Sequence, residues 1–313
     1  MQLYPSPENP LPEGARCMPV TTRDGKTLRA MYAVSGSPRG TVVFIGGRGD
    51  YLERYFETMR DVATRGFAAA AFDFRGHGGS QRLLANPYRG HIRDFADYDE
   101  DLRAVMTGVV LPNCPGPYYA VAHSTGGHVL LRNLREDAWF EKAITLAPLV
   151  GIIYGAWPRP LVRVLVFLCN AFGLGWMFLP GQNRKPLGRK DYPGNPLTSD
   201  RRRWMRDSSI LEQAPHLGTG GPTFAWLRAA RKSVRALRRL GRRDSFACPV
   251  LIVAAGLDRV VDIEAMHRLA DQVPGVALIT IAESLHEVLT ERDEIRSQFL
   301  AIFDSFVGGS LPA

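Results

Sequence analysis

The chain has 313 residues, of which 45% are hydrophobic and 22% charged, so it can bury a core as one large α/β domain with an insertion or as two ordinary domains. Its formal net charge of +8 permits contact with nucleic acid or an anionic membrane and by itself requires neither. The four cysteines are widely spaced without a C-x-x-C pair, which excludes the usual zinc patterns and favours free thiols in a reducing compartment.

The amino-terminal segment, residues 1–16, is rich in proline and polar side chains and lacks the apolar run of a signal peptide. We expect it to form a strap or a loose arm. We also expect a cytoplasmic protein, with peripheral attachment to the inner membrane face left open.

Strands and helices alternate through the first half of the chain. Residues 17–34 predict a hairpin with Asp24-Gly25 at its turn. The other predicted strands are 41–45, 68–72, 118–122 and 142–147, and the predicted helices are 52–64, 95–109 and a segment that begins at His128.

The alternation stops after Pro148 and resumes with strands at 249–255 and 276–281 and a helix at 292–306. Residues 149–222 contain no clear strand. We therefore expect an α/β fold with a mostly parallel central sheet, helices on both faces and an inserted, mainly helical cap. The predicted division is a core at 1–148, a cap at 149–222 and the rest of the core at 223–313.

The predicted cap contains an apolar run at 161–179, bounded by Pro160 and Pro180. A membrane-spanning helix needs about 20 apolar residues, and Arg163 and Asn170 interrupt this run. We expect a cap helix whose apolar face lines an acyl pocket or contacts a bilayer surface.

Two clusters carry most of the excess positive charge. The first contains Arg201, Arg202, Arg203 and Arg206, and the second contains Arg228, Arg231, Lys232, Arg235, Arg238, Arg239, Arg242 and Arg243. The second cluster could simply be the solvated face of an amphipathic helix. The more specific interpretation is that it is attracted to anionic lipid head groups. No nucleic-acid-binding motif accompanies the charge, so we expect no nucleic acid partner.

A candidate nucleophile lies in the A-x-S-x-G segment of residues 122–126, directly between a predicted strand and a predicted helix. Such a sharp turn exposes a serine hydroxyl at the top of a sheet, and its flanking positions must be small. Ala122 replaces the usual first glycine. Ser124 could be an ordinary turn residue, so the interpretation depends on partners elsewhere.

Two downstream residues supply those partners in the required chain order of serine, acid and histidine. Asp258 follows the strand at 249–255, and His286 follows the last strand, so both belong at the carboxyl edge of the sheet. Asp262 is a competing acid that could instead cap the next helix. This chemistry needs no metal and no cofactor.

An oxyanion hole requires two backbone N–H groups aimed at the developing charge. We expect them from Thr125 and from Arg48, in the glycine-rich loop that follows the strand at 41–45. The alternative of a phosphate-binding loop lacks its lysine and spacing. The Arg48 side chain is also a candidate contact for an anionic substrate. We expect Asp73 and Arg75 only to brace the neighbouring loop.

The segments I-G-G-R-G-D-Y-L-E-R-Y, D-F-R-G-H-G-G-S, A-H-S-T-G-G, A-G-L-D-R-V-V-D and L-H-E-V-L-T-E-R-D follow one another between residues 41 and 306. Together they resemble the lysophospholipase and monoacylglycerol lipase group of α/β-hydrolases. The resemblance implies the α/β-hydrolase fold and a triad of Ser124, Asp258 and His286. Gly46 stands where the monoacylglycerol lipases carry the histidine of H-G-x-G, and the G-R element is more like bacterial lysophospholipases.

We therefore expect a serine hydrolase that cleaves carboxylic esters of a single-chain lipid, a lysophospholipid or a monoacylglycerol, through an acyl-enzyme. One alternative is a carboxylesterase or thioesterase for a small metabolite. Another is a catalytically silent hydrolase fold that binds at a membrane. A serine at the elbow, where epoxide hydrolases and dehalogenases of this fold use aspartate, argues against those two chemistries.

Overall fold

The central sheet in the computed structural model, which describes residues 1–153, 158–182 and 192–308, has eight strands in the order β1-β2-β4-β3-β5-β6-β7-β8. The strands are β1 (Ala15–Thr21), β2 (Thr27–Ala33), β3 (Thr41–Ile45), β4 (Ala68–Phe72), β5 (Tyr118–His123), β6 (Phe140–Leu146), β7 (Val250–Ala255) and β8 (Val276–Ile281). β2 is antiparallel to β1 and β4, and the other neighbouring pairs are parallel. This confirms the predicted hairpin and the mostly parallel sheet.

The helices connect these strands in the expected places. They are α1 (Phe56–Ala63), α2 (Ala96–Val105), α3 (Leu111–Asn113), α4 (Thr125–Asn133), α5 (Arg159–Ala171), α6 (Arg201–Gln213), α7 (Phe224–Leu237), α8 (Ile263–Gln272) and α9 (Asp293–Gly308). A 3-10 turn, Leu52–Tyr55, precedes α1, and a π-type stretch, Met106–Val110, joins α2 to α3.

Helices cover both faces of the sheet. The crossovers β3-α1-β4 and β4-α2-β5 advance in opposite directions along the sheet, so right-handed connections put α1 and α2 on opposite faces. α9 lies with α1, because Arg296 Nη2 donates to Asp61 Oδ2 at 2.6 Å. α4 lies with α2, because Arg132 Nε donates to Asp99 Oδ1 at 3.0 Å. The predicted two-sided arrangement is therefore confirmed.

Burial on both faces explains why the central strands are continuously apolar rather than alternating. Every residue of β3, β4 and β7 is buried. The carboxyl ends of β3 and β5 lie side by side, since Ile45 is in register with Ala122. Loops that leave these two strands consequently meet at one edge of the sheet.

The segment between β6 and β7 carries α5, α6 and α7 and, in the part that the structure describes, no ladder strand. Isolated bridges tie it to neighbouring segments, including Gly90 with Pro222. Part of the predicted cap, residues 154–157 and 183–191, lies outside the described residues, as do residues 309–313. The boundaries at 149 and 222 remain a prediction.

The first arginine cluster is not one exposed patch. Arg203 is 3% exposed and Arg206 8%, and both donate to the carboxylate of Glu57 on α1. These two arginines fasten α6 to the core and are not part of a surface for anionic partners. The amino-terminal segment is a strap, since Asn9 Nδ2 donates to the Glu53 carbonyl at 2.7 Å.

Candidate active site

Ser124 forms the entire turn between β5 and α4. Its backbone has φ 51° and ψ −113°, in a region that non-glycine residues rarely occupy. α4 begins at Thr125, so the prediction that the helix begins at His128 was three residues too late. Strain of this kind persists only where the surroundings over-determine the conformation.

The surroundings of Ser124 do fix its conformation. Its N–H donates to the Leu146 carbonyl at 2.9 Å, and its carbonyl accepts from the N–H groups of His128 at 3.1 Å and Leu149 at 3.0 Å. A Cβ on Gly126 would lie 2.3 Å from the Ile45 carbonyl oxygen, so α4 packs directly against the end of β3. Ala122 is fully buried, and its methyl group is accommodated.

The three residues predicted as a triad lie within hydrogen-bond distance of one another. His286 Nε2 lies 3.1 Å from Ser124 Oγ, and His286 Nδ1 lies 2.7 Å from Asp258 Oδ2. Asp258 Oδ1 accepts from the N–H groups of Val260 at 2.7 Å and Val261 at 3.1 Å. Burial raises the pKa of Asp258, but the bond with His286 and these two N–H groups outweigh it, so this pKa lies below its usual value.

The competing acid, Asp262, has a different partner. It stands at the amino-terminal cap of α8, where its Oδ1 accepts from the Ala265 N–H at 3.2 Å. The structure therefore brings Asp258, and not Asp262, to His286. His267, the other histidine beyond these acids, is exposed on α8.

The two predicted oxyanion donors flank Ser124. Gly47 lies against the serine, because a Cβ built on it would be 3.2 Å from Ser124 Cβ. Its N–H donates to Asp50 Oδ2 at 2.6 Å, which fixes the loop, while the next N–H, that of Arg48, has no acceptor among the described residues. Thr125 is the first residue of α4, a position whose N–H has no intrahelical acceptor.

A buried ionic cluster that the sequence analysis missed supports this site. Arg54 contacts three carboxylates: Asp50 of the loop after β3, Asp207 of α6 and Glu287, the residue after His286. One guanidinium thus joins the loop after β3, the inserted segment and the loop that carries His286. Removing one partner from such a buried cluster typically costs about 3–5 kcal/mol, because the charges left behind are uncompensated.

His123 belongs to the same cluster. Its ring centroid lies 4.8 Å from that of His286, and its Nδ1 lies 3.2 Å from Asp50 Oδ2. Burial lowers the pKa of His123, but the bond to Asp50 and its charge outweigh this, so the pKa is raised. The neighbour of the candidate nucleophile therefore packs directly against the candidate base.

A cavity of about 500 Å³ adjoins Ser124 and His286, within the range of small-molecule sites. One part is apolar, and its walls include Leu149, Ile152, Val162, Leu165, Phe224 and Leu227. The other part contains Arg54 and its carboxylates Asp50, Asp207 and Glu287. The cavity therefore suits a molecule with one apolar and one polar end.

A second serine–histidine pair lies apart from this cavity. Ser233 Oγ is 2.6 Å from His128 Nε2, and His128 Nδ1 lies 2.7 Å from the Leu149 carbonyl oxygen. Both side chains are buried, and burial lowers the pKa of His128 to about 3. This pair joins α7 to α4 and has no access to a ligand.

Comparisons with a family model, curated proteins and solved structures found proteins similar to this chain. A family model described as serine aminopeptidase, S33, matches residues 36–293. Lysophospholipase L2 of Escherichia coli K12 is 33% identical over 279 residues, covering 85% of this chain and 79% of that protein. Monoacylglycerol lipase of Mycolicibacterium smegmatis is 26% identical over 282 residues, covering 85% of this chain and 89% of that protein. The crystal structure of a monoglyceride lipase variant from Saccharomyces cerevisiae, 17% identical, superposes with a TM-score of 0.69 over 94% of this chain and 96% of that one.

Proposed function

The chain belongs to the serine aminopeptidase S33 family of α/β-hydrolases, in its lysophospholipase and monoacylglycerol lipase group, and it is a carboxylic ester hydrolase; on this premise we propose that Ser124 is its nucleophile and that it acts on esters of single-chain lipids. The observation that carries the proposal is the unbroken contact from Asp258 through His286 to Ser124, in the wall of a cavity lined by both apolar and charged side chains.

The proposed reaction has two halves. His286 Nε2 takes the proton of Ser124 Oγ as that oxygen attacks the ester carbonyl, and it returns the proton to the leaving alcohol. Water, deprotonated by the same nitrogen, then attacks the acyl carbon. The bond to Ser124 Oγ breaks, His286 returns the proton to that oxygen, and the fatty acid leaves. Asp258 holds Nδ1–H and stabilises the imidazolium, while the N–H groups of Arg48 and Thr125 bind the oxyanion.

The apolar side chains that line the cavity favour a lipid substrate over a small metabolite. Apolar side chains from β6–α5 (Leu149, Ile152), α5 (Val162, Leu165) and α7 (Leu227) form walls on which a hydrocarbon chain can lie. Each buried methylene contributes about 0.8 kcal/mol. A small polar ester would leave this surface in contact with water.

We expect kcat/KM to rise by up to about fourfold per methylene along a series of glycerol monoesters until the cavity is filled. The measurement is initial rate below the critical micelle concentration for acyl chains of increasing length. Leu165→Trp should lower the ratio of kcat/KM for long-chain over short-chain monoesters, because the larger side chain fills part of the apolar side of the cavity. A flat or falling series would favour the small-ester alternative instead.

We also propose that the enzyme docks on anionic membranes through α5 and α7, which pack against each other. Exposed apolar side chains cover the outer side of α5 and the turn after it: Leu161 44%, Val164 53%, Phe167 70% and Phe172 75%. The inner side of α5 supplies Val162 and Leu165 to the cavity. Arg228, Arg235 and Arg239 are exposed on and just after α7. None of the described helices is long and apolar enough to cross a membrane.

Replacing Phe167 and Phe172 together by serine should reduce binding to phosphatidylglycerol vesicles at least tenfold, since both rings would insert at the lipid interface. Vesicle co-sedimentation measures the partition, and pure phosphatidylcholine vesicles should bind the unchanged protein more weakly. Leu111→Ser, an exposed apolar change on α3 (39% exposed), is the matched control. Equal partition of both variants would contradict docking through α5.

A further inference from the structure

The guanidinium of Arg48 stands in the active-site cavity without a carboxylate partner among the described residues. Its Nη1 donates to the Gly220 carbonyl at 2.9 Å, and its Cζ lies 5.7 Å from the centroid of the Trp226 ring. An arginine carries five N–H donors, so most of its donors have no acceptor in the described part of the chain. The side chain is partly exposed and forms part of the cavity wall.

Other arginines in the interior are paired differently. Arg29 contacts Glu53 and Asp73, and Arg54 contacts three carboxylates. Arg82 donates to several backbone oxygens, including those of Gly76 and Gly78. Burying a guanidinium without a countercharge is unfavourable, because the charge loses hydration and gains no partner. Arg48 therefore differs from these in having donors to spare.

Two neighbours of Arg48 also have unused hydrogen-bonding capacity. Trp226 Nε1 and Tyr98 Oη are buried polar atoms without a hydrogen bond of normal geometry, although the two side chains are adjacent. The Trp226 residue is 7% exposed and lines the cavity, and Tyr98 is fully buried. Native proteins pair nearly all such groups with protein, water or ligand. The indole N–H is closed off from the cavity and lies beside the Tyr98 hydroxyl, so the donors open to a ligand at this corner are those of Arg48.

The position of the guanidinium relates it to the reacting ester. Arg48 follows Gly47, which lies against Ser124, and its own N–H is a proposed oxyanion donor. Three carboxylates and the guanidinium of Arg54 line the polar end of the cavity. Arg206 contacts Asp207 from behind and is shared with Glu57, so carboxylates are in excess there and disfavour an anion. An anionic group on a bound ester is thus drawn to Arg48 and away from that end.

From this arrangement we infer that the Arg48 side chain is an anion-binding subsite that makes the enzyme prefer esters carrying a phosphate or carboxylate over neutral esters of the same chain. The inference rests on the proposed function, since it concerns substrates of the same serine. Charge-assisted hydrogen bonds from a guanidinium are directional and strong, so the preference belongs to this side chain and not to the net charge of the protein.

The test compares 1-acylglycerol with 1-acylglycerol-3-phosphate of the same acyl chain, both as monomers, using the full-length protein. Arg48→Met should lower the phosphate-to-neutral ratio of kcat/KM about tenfold to a hundredfold, the effect expected for a lost charged hydrogen bond. Arg48→Lys should retain part of the preference. Arg16→Met, which removes an exposed arginine on β1, should leave the ratio unchanged. The ratio cancels any loss that both substrates share through a disturbed oxyanion loop.

A second pair, the monoester of a dicarboxylic acid and its neutral methyl-capped analogue, separates the two sources of the anion. If Arg48→Met lowers the anionic-to-neutral ratio of kcat/KM only for the phosphate pair, the subsite binds the head group. If it lowers the ratio only for the dicarboxylate pair, the subsite binds the acyl end. Either result supports the subsite. An unchanged ratio for both pairs in Arg48→Met overturns it.

Equilibrium binding keeps this inference separate from the proposed function. Calorimetry with the ether analogue of 1-acylglycerol-3-phosphate, which has no ester to cleave, should show at least tenfold weaker binding to Arg48→Met than to the unchanged protein. Equal binding of this analogue, together with an unchanged ratio for the dicarboxylate pair, would also overturn the subsite. Absence of ester turnover with normal, Arg48-dependent binding would instead count against the nucleophile.

Discussion

Replacement of Ser124 by alanine is expected to lower ester turnover by about 10⁴-fold or more, because no other described residue of the cavity presents a hydroxyl to His286. The fold should be retained. Alanine keeps the Cβ, so the backbone strain at φ 51° is unchanged, and Ala147 already adopts a φ of 42° in this protein. Hydrolysis of a monoacylglycerol by the purified variant measures the effect, and its melting temperature reports the fold.

Ser233→Ala is the matched control for this loss. It removes a second hydroxyl that contacts a histidine nitrogen, at 2.6 Å from His128 Nε2, but in a pair that lies outside the cavity. We expect a stability cost of about 1–3 kcal/mol from the hydrogen-bond partners left behind, with turnover retained in the folded protein. Turnover that survives in Ser124→Ala, or that is lost equally in both variants, would contradict the role of Ser124.

Replacement of Asp258 by asparagine should lower kcat by about 10⁴-fold. The carboxylate accepts the Nδ1–H of His286, which leaves Nε2 free to accept the serine proton. An asparagine amide can donate to Nδ1 and so favours the tautomer with the proton on Nε2. That tautomer cannot act as the base. Steady-state kinetics at fixed pH, with the same monoacylglycerol, provides the measurement.

Asp262→Asn tests the competing acid under matched conditions. Asparagine caps a helix about as well as aspartate, so the α8 terminus keeps its hydrogen bond to the Ala265 N–H. We expect near-normal kcat for this variant. A large loss in Asp262→Asn together with a small one in Asp258→Asn would transfer the orienting role to Asp262.

Much of the fold could be predicted from the sequence, because local patterns encode it. The strands at 41–45, 68–72 and 276–281 have the predicted bounds. Full burial explains the continuously apolar composition of the first two, whereas the third is mostly half-buried at the edge of the sheet. The start of α4 was misplaced because glycine-rich residues 126–127 were taken as turn. In the structure Gly126 is helical, and its missing side chain allows α4 to approach β3.

The grouping of Ser124, Asp258 and His286 could also be anticipated, since parallel strands bring their carboxyl ends to one edge. Only part of the Arg54 cluster could have been predicted from the sequence. Asp50 and Arg54 are four residues apart at a predicted helix start, a spacing that favours an ion pair. Asp207 and Glu287 join them only through tertiary packing, across separations of 153 and 233 residues.

The arginine clusters show the same limit of prediction from sequence. Arg203 and Arg206 belong to a cluster of positive charge in the sequence, yet they are buried against Glu57 because α6 packs onto α1. Sequence composition cannot distinguish an arginine that pairs inside the protein from one that meets solvent. Arg48 has no carboxylate partner among the described residues, and this likewise depends on its surroundings in the fold and not on its neighbours in the chain.

Covalent labelling with a fluorophosphonate, followed by peptide mass analysis, tests the central claim most directly. The account predicts one phosphonyl adduct on the peptide that contains Ser124, with labelling slowed strongly in His286→Ala and at a normal rate in Ser233→Ala. An active preparation that stays unlabelled at Ser124, or carries the adduct on another residue, would contradict Ser124 as the nucleophile.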